Sequence, residues 1–434
     1  MRLRPDSRSL WPALALLAGM AVAAPDEPAA DSWEDDWGAE EPVGQSLSGF
    51  VEAAGGTRAD RDRQVGRRGT LLDLRWRLEA ERQFGAVSAA LKGDALYDGI
   101  DDDMEAEVRD LSLTFSPLAS LDVKVGRQVL TWGTGDLVFL NDLFPKGWVG
   151  FFAGREDEYL KAPSNSVRMT QYNGIANIDF VWTPKFTPDD YIDGRRFSYF
   201  SPLTGGIVGS DPTLDVERPG SVSSNDEFAL RLFRTHAGAE YALYAYRGFF
   251  KTPSRVTGPQ SLGFAPMTSL GGSVRRPAGA GLLNAEISYY LSRDDRSGTD
   301  PLVANSQLRL LIGYEWEAVR NFNIGLQYYL ERVLDHDALI ARSPAPGFEP
   351  PENRHVLTTR FTYRTMQDKL TWSLFAFVSP NDRDAYLRPV VAFRFDDHWA
   401  ATLGFNLFAG DDHHTFLGQF DGNSNGYARI RYNY

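Results

Sequence analysis

Apolar and polar residues alternate along most of the chain beyond residue 46. Residues 72–81 alternate leucine, tryptophan or alanine with aspartate, arginine or glutamate, and the same period of two recurs in residues 283–292, 322–331 and 399–408. A period of two is typical of a β-strand with one apolar face. Each apolar set runs for about ten residues, the length at which a tilted strand crosses an outer membrane. The pattern predicts an all-β chain whose strands can span a membrane.

The connecting segments distinguish a membrane barrel from a soluble β-sandwich, whose strands also alternate. Transmembrane barrels have short periplasmic turns and long external loops, an asymmetry that a sandwich does not need. Short connections are predicted near residues 84–85, 117–120, 174, 237–238, 277–279, 320, 367–368 and 396–397. Long connections alternate with the short ones along the chain. They are predicted near residues 58–67, 98–105, 133–164, 185–225, 251–262, 293–303, 335–352, 380–385 and 410–423.

The connections divide residues 47–434 into about eighteen strands, an even number that leaves both ends on the periplasmic side. A pair of strands within residues 165–184, turning near Gly174, has the weakest pattern, and without it the count is about sixteen. We therefore predict a transmembrane antiparallel up-and-down β-barrel over residues 47–434.

The last residues of the chain carry an apolar face that ends on an aromatic residue. An unpaired terminal strand of this kind invites aggregation, whereas closure into a barrel in lipid leaves no free edge. The ending resembles that of bacterial outer-membrane proteins, whose final aromatic residue is read by the barrel-assembly machinery, although their usual last residue is Phe. The resemblance implies outer-membrane lipid and that machinery as partners, and it implies an assembly signal formed by Ile430, Tyr432 and Tyr434.

The N-terminus predicts export. Arginines at positions 2, 4 and 8 precede an apolar stretch over residues 10–21, and residues 21–23 read Ala-Val-Ala. This is the pattern of a cleaved signal peptide, predicted here as residues 1–23, and the apolar stretch is too short for a spanning helix. Residues 24–46 are acidic and contain no base, so we predict a disordered periplasmic leader. A role as a plug or as a docking segment for a partner is the alternative.

Charge and composition exclude several classes of function. The formal charge is −13, and removing residues 1–23 takes away three arginines and one aspartate, which leaves −15. Such an acidic chain argues against nucleic-acid binding. No nucleophile motif accompanies the six histidines, so we expect no catalysis and no cofactor. Residues 411–414 read Asp-Asp-His-His, but adjacent residues point in alternate directions, so we predict no metal site there.

If the polar face of the strands lines the lumen, that lumen is highly charged. Opposed charges on a pore wall select solutes by charge and hydration. The alternative is that these residues pair across neighbouring strands and only stabilise the wall. The predicted pore-lining residues are Arg75, Arg77, Glu79, Arg127, Arg231, Glu286, Arg309, Arg360, Arg364, Arg394, Arg429 and Arg431.

The long connection over residues 133–164 is rich in aromatic residues, which are costly to leave in water. It follows the fifth predicted strand and is therefore the third external loop. In position and length it is similar to the third external loop of general porins, which folds inward to form the constriction. The alternative is an external lid packed on its neighbours. The predicted constriction residues are Asp136, Asn141, Asp142, Trp148 and Arg155.

The segment Gly126-Arg127-Gln128 followed by Trp132-Gly133 resembles a strand of several outer-membrane barrel families, including the eighteen-stranded alginate-export type. This resemblance implies a barrel with a charged conduit. Together the features predict an outer-membrane porin for passive diffusion of small polar or charged solutes. The alternatives are a barrel that exports an exopolysaccharide and a structural barrel that sheathes a periplasmic partner. The oligomeric state is left open by the sequence.

Overall fold

The computed structural model of the chain describes residues 46–209, 215–221 and 223–434. The predicted signal peptide, residues 1–23, and the predicted leader up to residue 45 lie outside the described residues. Within the described ranges, no helix is both long enough and apolar enough to cross a membrane.

Eighteen antiparallel strands form one sheet that closes on itself, because the first strand pairs with both the second and the last. The barrel strands before residue 250 are β1 (Ser46–Arg58), β2 (Gly69–Phe84), β3 (Val87–Asp98), β4 (Asp103–Leu118), β5 (Leu121–Val129), β6 (Pro163–Gln171), β7 (Asn177–Thr183), β11 (Glu227–His236) and β12 (Ala239–Phe249). The others are β15 (Pro266–Ala278), β16 (Gly281–Ser292), β17 (Gln307–Val319), β18 (Phe322–Val333), β19 (Asn353–Thr365), β20 (Leu370–Ser379), β21 (Asp384–Arg394), β22 (Trp399–Gly410) and β23 (Asn425–Asn433).

The loops on one end of the barrel carry further short elements. Their strands are β8 (Tyr199–Ser201), β9 (Gly206–Val208), β10 (Asp215–Glu217), β13 (Arg255–Gly258) and β14 (Ser261–Gly263). The α-helices are α1 (Trp148–Ala153) and α2 (His336–Arg342), and short 3₁₀ helices cover Asp157–Leu160, Ser223–Asn225, Pro346–Phe348 and Gly418–Asn423.

The strand count and the two-ended arrangement of connections confirm the predicted fold class. Strands β6 and β7 form the uncertain pair and are joined through residues 172–176, which include Gly174, so the barrel has eighteen strands rather than sixteen. Two connections predicted to be long are short, since residues 99–102 and 380–383 join their strands directly. The adjoining strands β4 and β21 extend into segments that the sequence pattern left as loops.

The two faces of the sheet differ as a membrane barrel requires. Leu74 and Leu243 are 55% and 63% exposed on the outer face. On the inner face Arg75 and Arg77 are each 1% exposed. Every backbone group within the sheet has a neighbouring strand to pair with, which is the condition for strands to lie in hydrocarbon. The inner face of the sheet therefore carries charged side chains, and the outer face is apolar.

A long loop fills part of the interior. Loop L3, residues 130–162, connects β5 and β6 and packs into two clusters of buried apolar side chains. One cluster joins Leu130, Trp132 and Phe144 of L3 to β7, β11, β12, β15 and β16. The other joins Phe151 and Phe152 of L3 to strands that include β1, β2 and β17 to β23. Because the clusters lie against different parts of the wall, L3 extends across the lumen.

Candidate functional site in the barrel lumen

The first anchor of L3 is a carboxylate on the wall. Glu286 of β16 accepts hydrogen bonds from the backbone N–H groups of Thr134 and Gly135. The amide of Asn141 donates to the same carboxylate at 2.7 Å. Glu286 is 4% exposed and is held by neutral donors of the loop, so it fixes the start of L3 without an arginine.

The second anchor is an ion pair on the next part of the wall. Arg360 of β19 donates to both carboxylate oxygens of Asp136, at 2.5 and 2.8 Å. The backbone N–H of Asp136 donates to the side chain of Gln327 on β18 at 3.0 Å. A bidentate arginine–carboxylate pair is both strong and geometrically specific, so it sets the position of the loop at this point.

Helix α1 carries the apolar contact of L3. The ring of Phe152 packs edge-on against that of Phe408, with 5.1 Å between the ring centroids. The backbone carbonyl oxygen of Phe152 accepts hydrogen bonds from the side-chain amides of Asn406 and Asn425, at 2.9 and 3.1 Å. The helix ends at Gly154, whose φ of 97° is left-handed. A Cβ on this glycine would lie 2.3 Å from the ring of Tyr427, so no larger residue fits without displacement.

Three consecutive acids follow the helix and reach three different strands. Glu156 pairs with Arg431 of β23, Asp157 with Arg388 of β21 at 2.5 Å, and Glu158 with Arg77 of β2. This acid row, residues 156–158, explains why the lumen arginines are not repelled by one another. Acids of the loop, Asp136 included, pair with four of the lumen arginines: Arg77, Arg360, Arg388 and Arg431.

The pairing shifts the ionisation of the loop acids. Burial raises the pKa of Asp157, but the charge and hydrogen bond of Arg388, together with the charges of Arg360 and Arg429, more than offset this and hold that pKa below its ordinary value. Glu158 shows the same balance, with Arg77 as the cation that lowers the pKa. Both acids therefore remain ionised, and remain paired, throughout the neutral range.

The residues on either side of the acid row, Arg155 and Tyr159, bind acids of the wall. Arg155 donates to Asp73 of β2 at 2.7 Å and to Asp98 of β3 at 3.0 Å. The hydroxyl of Tyr159 donates to Asp94 of β3 at 2.9 Å. Arg75 stacks on the ring of that tyrosine at 4.1 Å. The loop therefore presents cations to wall acids as well as acids to wall cations.

Other predicted pore-lining residues pair along the wall. Arg231 pairs with Glu240 at 2.6 Å, Arg309 with Glu331 at 3.2 Å, and Glu79 with Lys92 at 3.1 Å. These residues therefore pair across neighbouring strands, which is the alternative arrangement that the sequence left open.

Three predicted arginines have no such partner among the described residues. Arg364 of β19, Arg394 of β21 and Arg429 of β23 make no side-chain hydrogen bond or ion pair there. Two guanidinium nitrogens of Arg429, Nε and Nη1, are buried without an acceptor. Glu315 and Glu317 are exposed on β17. The lumen thus keeps charges of both signs, on different strands, that form no ion pair among the described residues.

One predicted pore-lining residue, Arg127, lies on the outer face, and two predicted constriction residues, Asp142 and Trp148, have partners other than the wall. Arg127 lies opposite Leu111 and Asn165, both exposed on the outer face, so it is not on the lumen face; its Nε donates to a carbonyl of the neighbouring strand. Near the end of β5 the outer face leaves the hydrocarbon, and a charge is tolerated there. Asp142 pairs with Lys146 inside L3, at 2.8 Å, rather than with the wall.

The indole N–H of Trp148 donates to Asp189 at 3.0 Å. Asp189 belongs to the loop over residues 184–226, so the polar edge of Trp148 faces that loop and not the barrel wall. Burial raises the pKa of Asp189, which accepts this bond and one from the backbone of Lys146. The contact ties L3 to the loop above it. Of the predicted constriction residues, Asp136, Asn141 and Arg155 contact the wall.

The acid row itself was missed in the sequence. The signal was the run Arg-Glu-Asp-Glu at residues 155–158, four charges within an otherwise aromatic segment. Such a run usually indicates a solvated surface, and only the inward course of the loop gives it wall partners. Among the described residues, no group of three or more His, Asp or Glu side chains is placed to hold a metal ion.

The predicted assembly signal lies on the outer face. Ile430, Tyr432 and Tyr434 are 46%, 36% and 42% exposed there. Their role in assembly stays a prediction.

No protein-family model matches the sequence, and no curated protein matches it either. The fold is similar to that of Pseudomonas aeruginosa OccK11 (OpdR), with a TM-score of 0.51 and 10% identity over 90% of this chain and 95% of that one. Acinetobacter baumannii OccAB3 and OccAB4 each give a TM-score of 0.52, at 10% and 11% identity, over 90% of this chain and 99% and 98% of theirs. The resemblance to the alginate-export type is not shown by these comparisons. The chain forms a closed eighteen-stranded porin-like β-barrel, with a fold similar to that of these three proteins.

Proposed function

We propose that the chain is an outer-membrane channel through which small polar or charged solutes diffuse passively. The observation that carries the proposal is the course of L3, which extends across the lumen. Ion pairs fix it to β2, β19 and β21, and hydrogen bonds to Glu286 fix it to β16. A barrel of about eighteen strands encloses a space too wide for side chains to fill. A loop fixed across that space narrows it to the size of a small solute.

The charges left over from the pairing would discriminate among solutes. Arg364, Arg394 and Arg429 lie on β19, β21 and β23, whereas Glu315 and Glu317 lie on β17. Charges of opposite sign on the wall of an aqueous pore select solutes by charge and hydration. Since both signs are present, we infer modest rather than strict ion selectivity.

We expect the channel to have two partners, outer-membrane lipid and the barrel-assembly machinery, and to catalyse no reaction. Outer-membrane lipid surrounds the apolar outer face, and the barrel-assembly machinery reads Ile430, Tyr432 and Tyr434. The proposed channel needs no cofactor and carries out no chemical step. It places the chain in the outer membrane after removal of residues 1–23.

Planar-bilayer recording of the chain without residues 1–23 tests the function. Stable open steps of modest ion selectivity are expected from the unmodified protein. A variant in which a short glycine–serine link replaces residues 134–160 should give larger steps, because the barrier across the lumen is gone. A matched control shortens the external loop over residues 293–306 and should leave the step size unchanged.

The same recordings address the two alternatives. A pore that is closed until L3 is removed would favour a plugged conduit, such as the exporter of an exopolysaccharide, over a porin. An exporter should also have a continuous ladder of one charge or of aromatic residues, and the mixed charges beside L3 do not support one. If neither the unmodified protein nor the L3 variant conducts, the channel proposal is wrong and the structural barrel is favoured.

A further inference from the structure

Two arginines at the external end of the barrel share one part of its outer surface. Arg247 lies on the outward face of β12 in register with Thr268 of β15. Arg293 follows β16, and its backbone N–H donates to the carbonyl oxygen of Pro266, so it lies in the adjoining row toward the outside. Its guanidinium donates to the carbonyl oxygen of Gly248, the residue after Arg247, at 3.0 Å. The two cations are therefore neighbours.

Neither arginine forms an ion pair within the described residues. Arg247 makes no side-chain hydrogen bond or ion pair there, and Nε of Arg293 is buried without an acceptor. Burial lowers the pKa of Arg293 and the positive charge of Arg247 lowers it further, while the charge of Asp294 offsets only part of this. Asp294, the acid nearest in sequence, is bound to Arg255 at 2.9 Å. Two like charges side by side are unfavourable unless an anion binds them.

Another outward-facing arginine at the same end of the barrel shows the usual arrangement. Arg332 of β18 is bound to Glu352 at 2.7 Å. The protein thus neutralises this cation with its own carboxylate. The pair Arg247 and Arg293 lacks an equivalent acid, which makes an external anion the fitting partner.

The surface below the pair identifies the source of that anion. Leu243, Leu270 and Ile287, on β12, β15 and β16, are 63%, 58% and 48% exposed. This apolar surface faces acyl chains, and the arginines stand at its external edge, where head groups begin. Arginine binds phosphate through two parallel hydrogen bonds and is preferred at such sites. An anion with acyl chains attached complements both parts.

We propose that Arg247 and Arg293 bind a phosphate group of a glycolipid in the outer leaflet. The site rests on the proposed placement of the barrel, with its long loops outside the cell. Bound glycolipid at this position would hold the outer leaflet against β12, β15 and β16.

Native mass spectrometry of the chain without residues 1–23, in detergent, tests the site. The probes are lipid A with its phosphates and the same lipid A after enzymatic dephosphorylation. The unmodified protein should prefer the phosphorylated form, and the double variant Arg247→Gln/Arg293→Gln should bind it at least about tenfold more weakly. Arg332→Gln, a matched change at the same end of the barrel, should bind like the unmodified protein.

Several outcomes would overturn the assignment. Equal binding of both lipid A forms, or full binding by the double variant, excludes a phosphate site at these arginines. Inorganic phosphate that binds as tightly as lipid A would point to a free anion instead. Folding of each variant is checked by its heat-dependent gel mobility. Because the binding is measured in detergent, absence of conductance in bilayers would overturn the channel proposal alone.

Discussion

The indole N–H of Trp76 donates to the hydroxyl of Tyr434 at 2.6 Å, which links β2 to the last residue of the chain. The same hydroxyl donates to the carbonyl oxygen of Arg77 at 2.9 Å. Strand β1 lies between these partners, and its Gly49 exchanges two backbone hydrogen bonds with Tyr434. The terminal side chain therefore crosses the seam at which the barrel closes, an interaction that a terminal Phe does not offer.

Replacing the terminal tyrosine by phenylalanine should weaken the seam. Tyr434→Phe keeps the ring but removes both hydroxyl contacts, so we expect a loss of about 1 kcal/mol in the free energy of unfolding. Urea titration followed by heat-dependent gel mobility measures it. Tyr432→Phe is the matched control, because Tyr432 makes no side-chain hydrogen bond among the described residues. Equal midpoints for the two variants would show that the hydroxyl contributes nothing.

The pair Asp136 and Arg360 should set the charge of the constriction. Asp136→Asn leaves Arg360 uncompensated and should shift the reversal potential in a salt gradient toward anions. Arg360→Gln should shift it toward cations, and the double variant should return close to the unmodified value, because both charges are gone. Glu352→Gln, which breaks an ion pair on the outside of the barrel, is the control and should leave the potential unchanged.

Removing the three unpaired lumen arginines should have a larger effect on selectivity. Their triple replacement by glutamine is expected to move the reversal potential toward cations, since Glu315 and Glu317 would then dominate the field. No direct ion pair is lost, but the charge of Arg429 helps to keep Asp157 ionised, so only a small decrease in the unfolding midpoint is expected. Arg276→Gln removes an exposed arginine near the C-terminal end of β15 and controls for the change in net charge. A shift of equal size in that variant would refute the local explanation.

The sequence pattern predicted the strands because lipid on one side and polar lumen on the other enforce a period of two. It failed where strands extend beyond the hydrocarbon. At Asp103 and Asp384 the first residues of β4 and β21 are acidic, and neither face there needs to be apolar. The same reason explains Arg127, a charge on the outer face near the end of its strand. In these places alternation carries no information about the fold.

The partners of L3 could not be read from the sequence because they are distant along the chain. Asp136 and Arg360 are separated by more than two hundred residues, and no local pattern connects them. The inward course of the loop could be predicted from its aromatic content. The matching of each acid to an arginine depends on strand register across the whole barrel.

The acid row predicts how the loop responds to pH. The folded-state pKa values of Asp157 and Glu158 lie below their ordinary values of 3.8 and 4.5. A depressed pKa gives stabilisation that is present above the ordinary value and is lost as the pH falls through the folded value. We therefore expect L3 to resist proteolysis equally from neutral pH to the ordinary pKa values and to loosen only below them.

A protease active in acid, with cleavage sites mapped by mass spectrometry, measures this response. Asp157→Asn should show cleavage in L3 at neutral pH as well, because one anchor is absent at every pH. Asp412→Asn, in an external loop, is the control. Loosening of L3 in the unmodified protein between about pH 5 and pH 7 would contradict the assignment, since this pH range lies above the ordinary pKa values of both acids.

Gly154 should be the most sensitive single position in L3. Its φ of 97° disfavours any residue with a Cβ, and that Cβ would also lie 2.3 Å from the ring of Tyr427. Gly154→Ala should therefore displace the end of α1 and cost about 1–2 kcal/mol from the backbone alone. Gly174→Ala is the matched control, because nothing lies within 4 Å of its added Cβ. We expect faster cleavage within L3 and noisier open steps for Gly154→Ala only. Identical cleavage of the two variants would mean that the end of α1 tolerates the change and that the wall anchors alone position the loop.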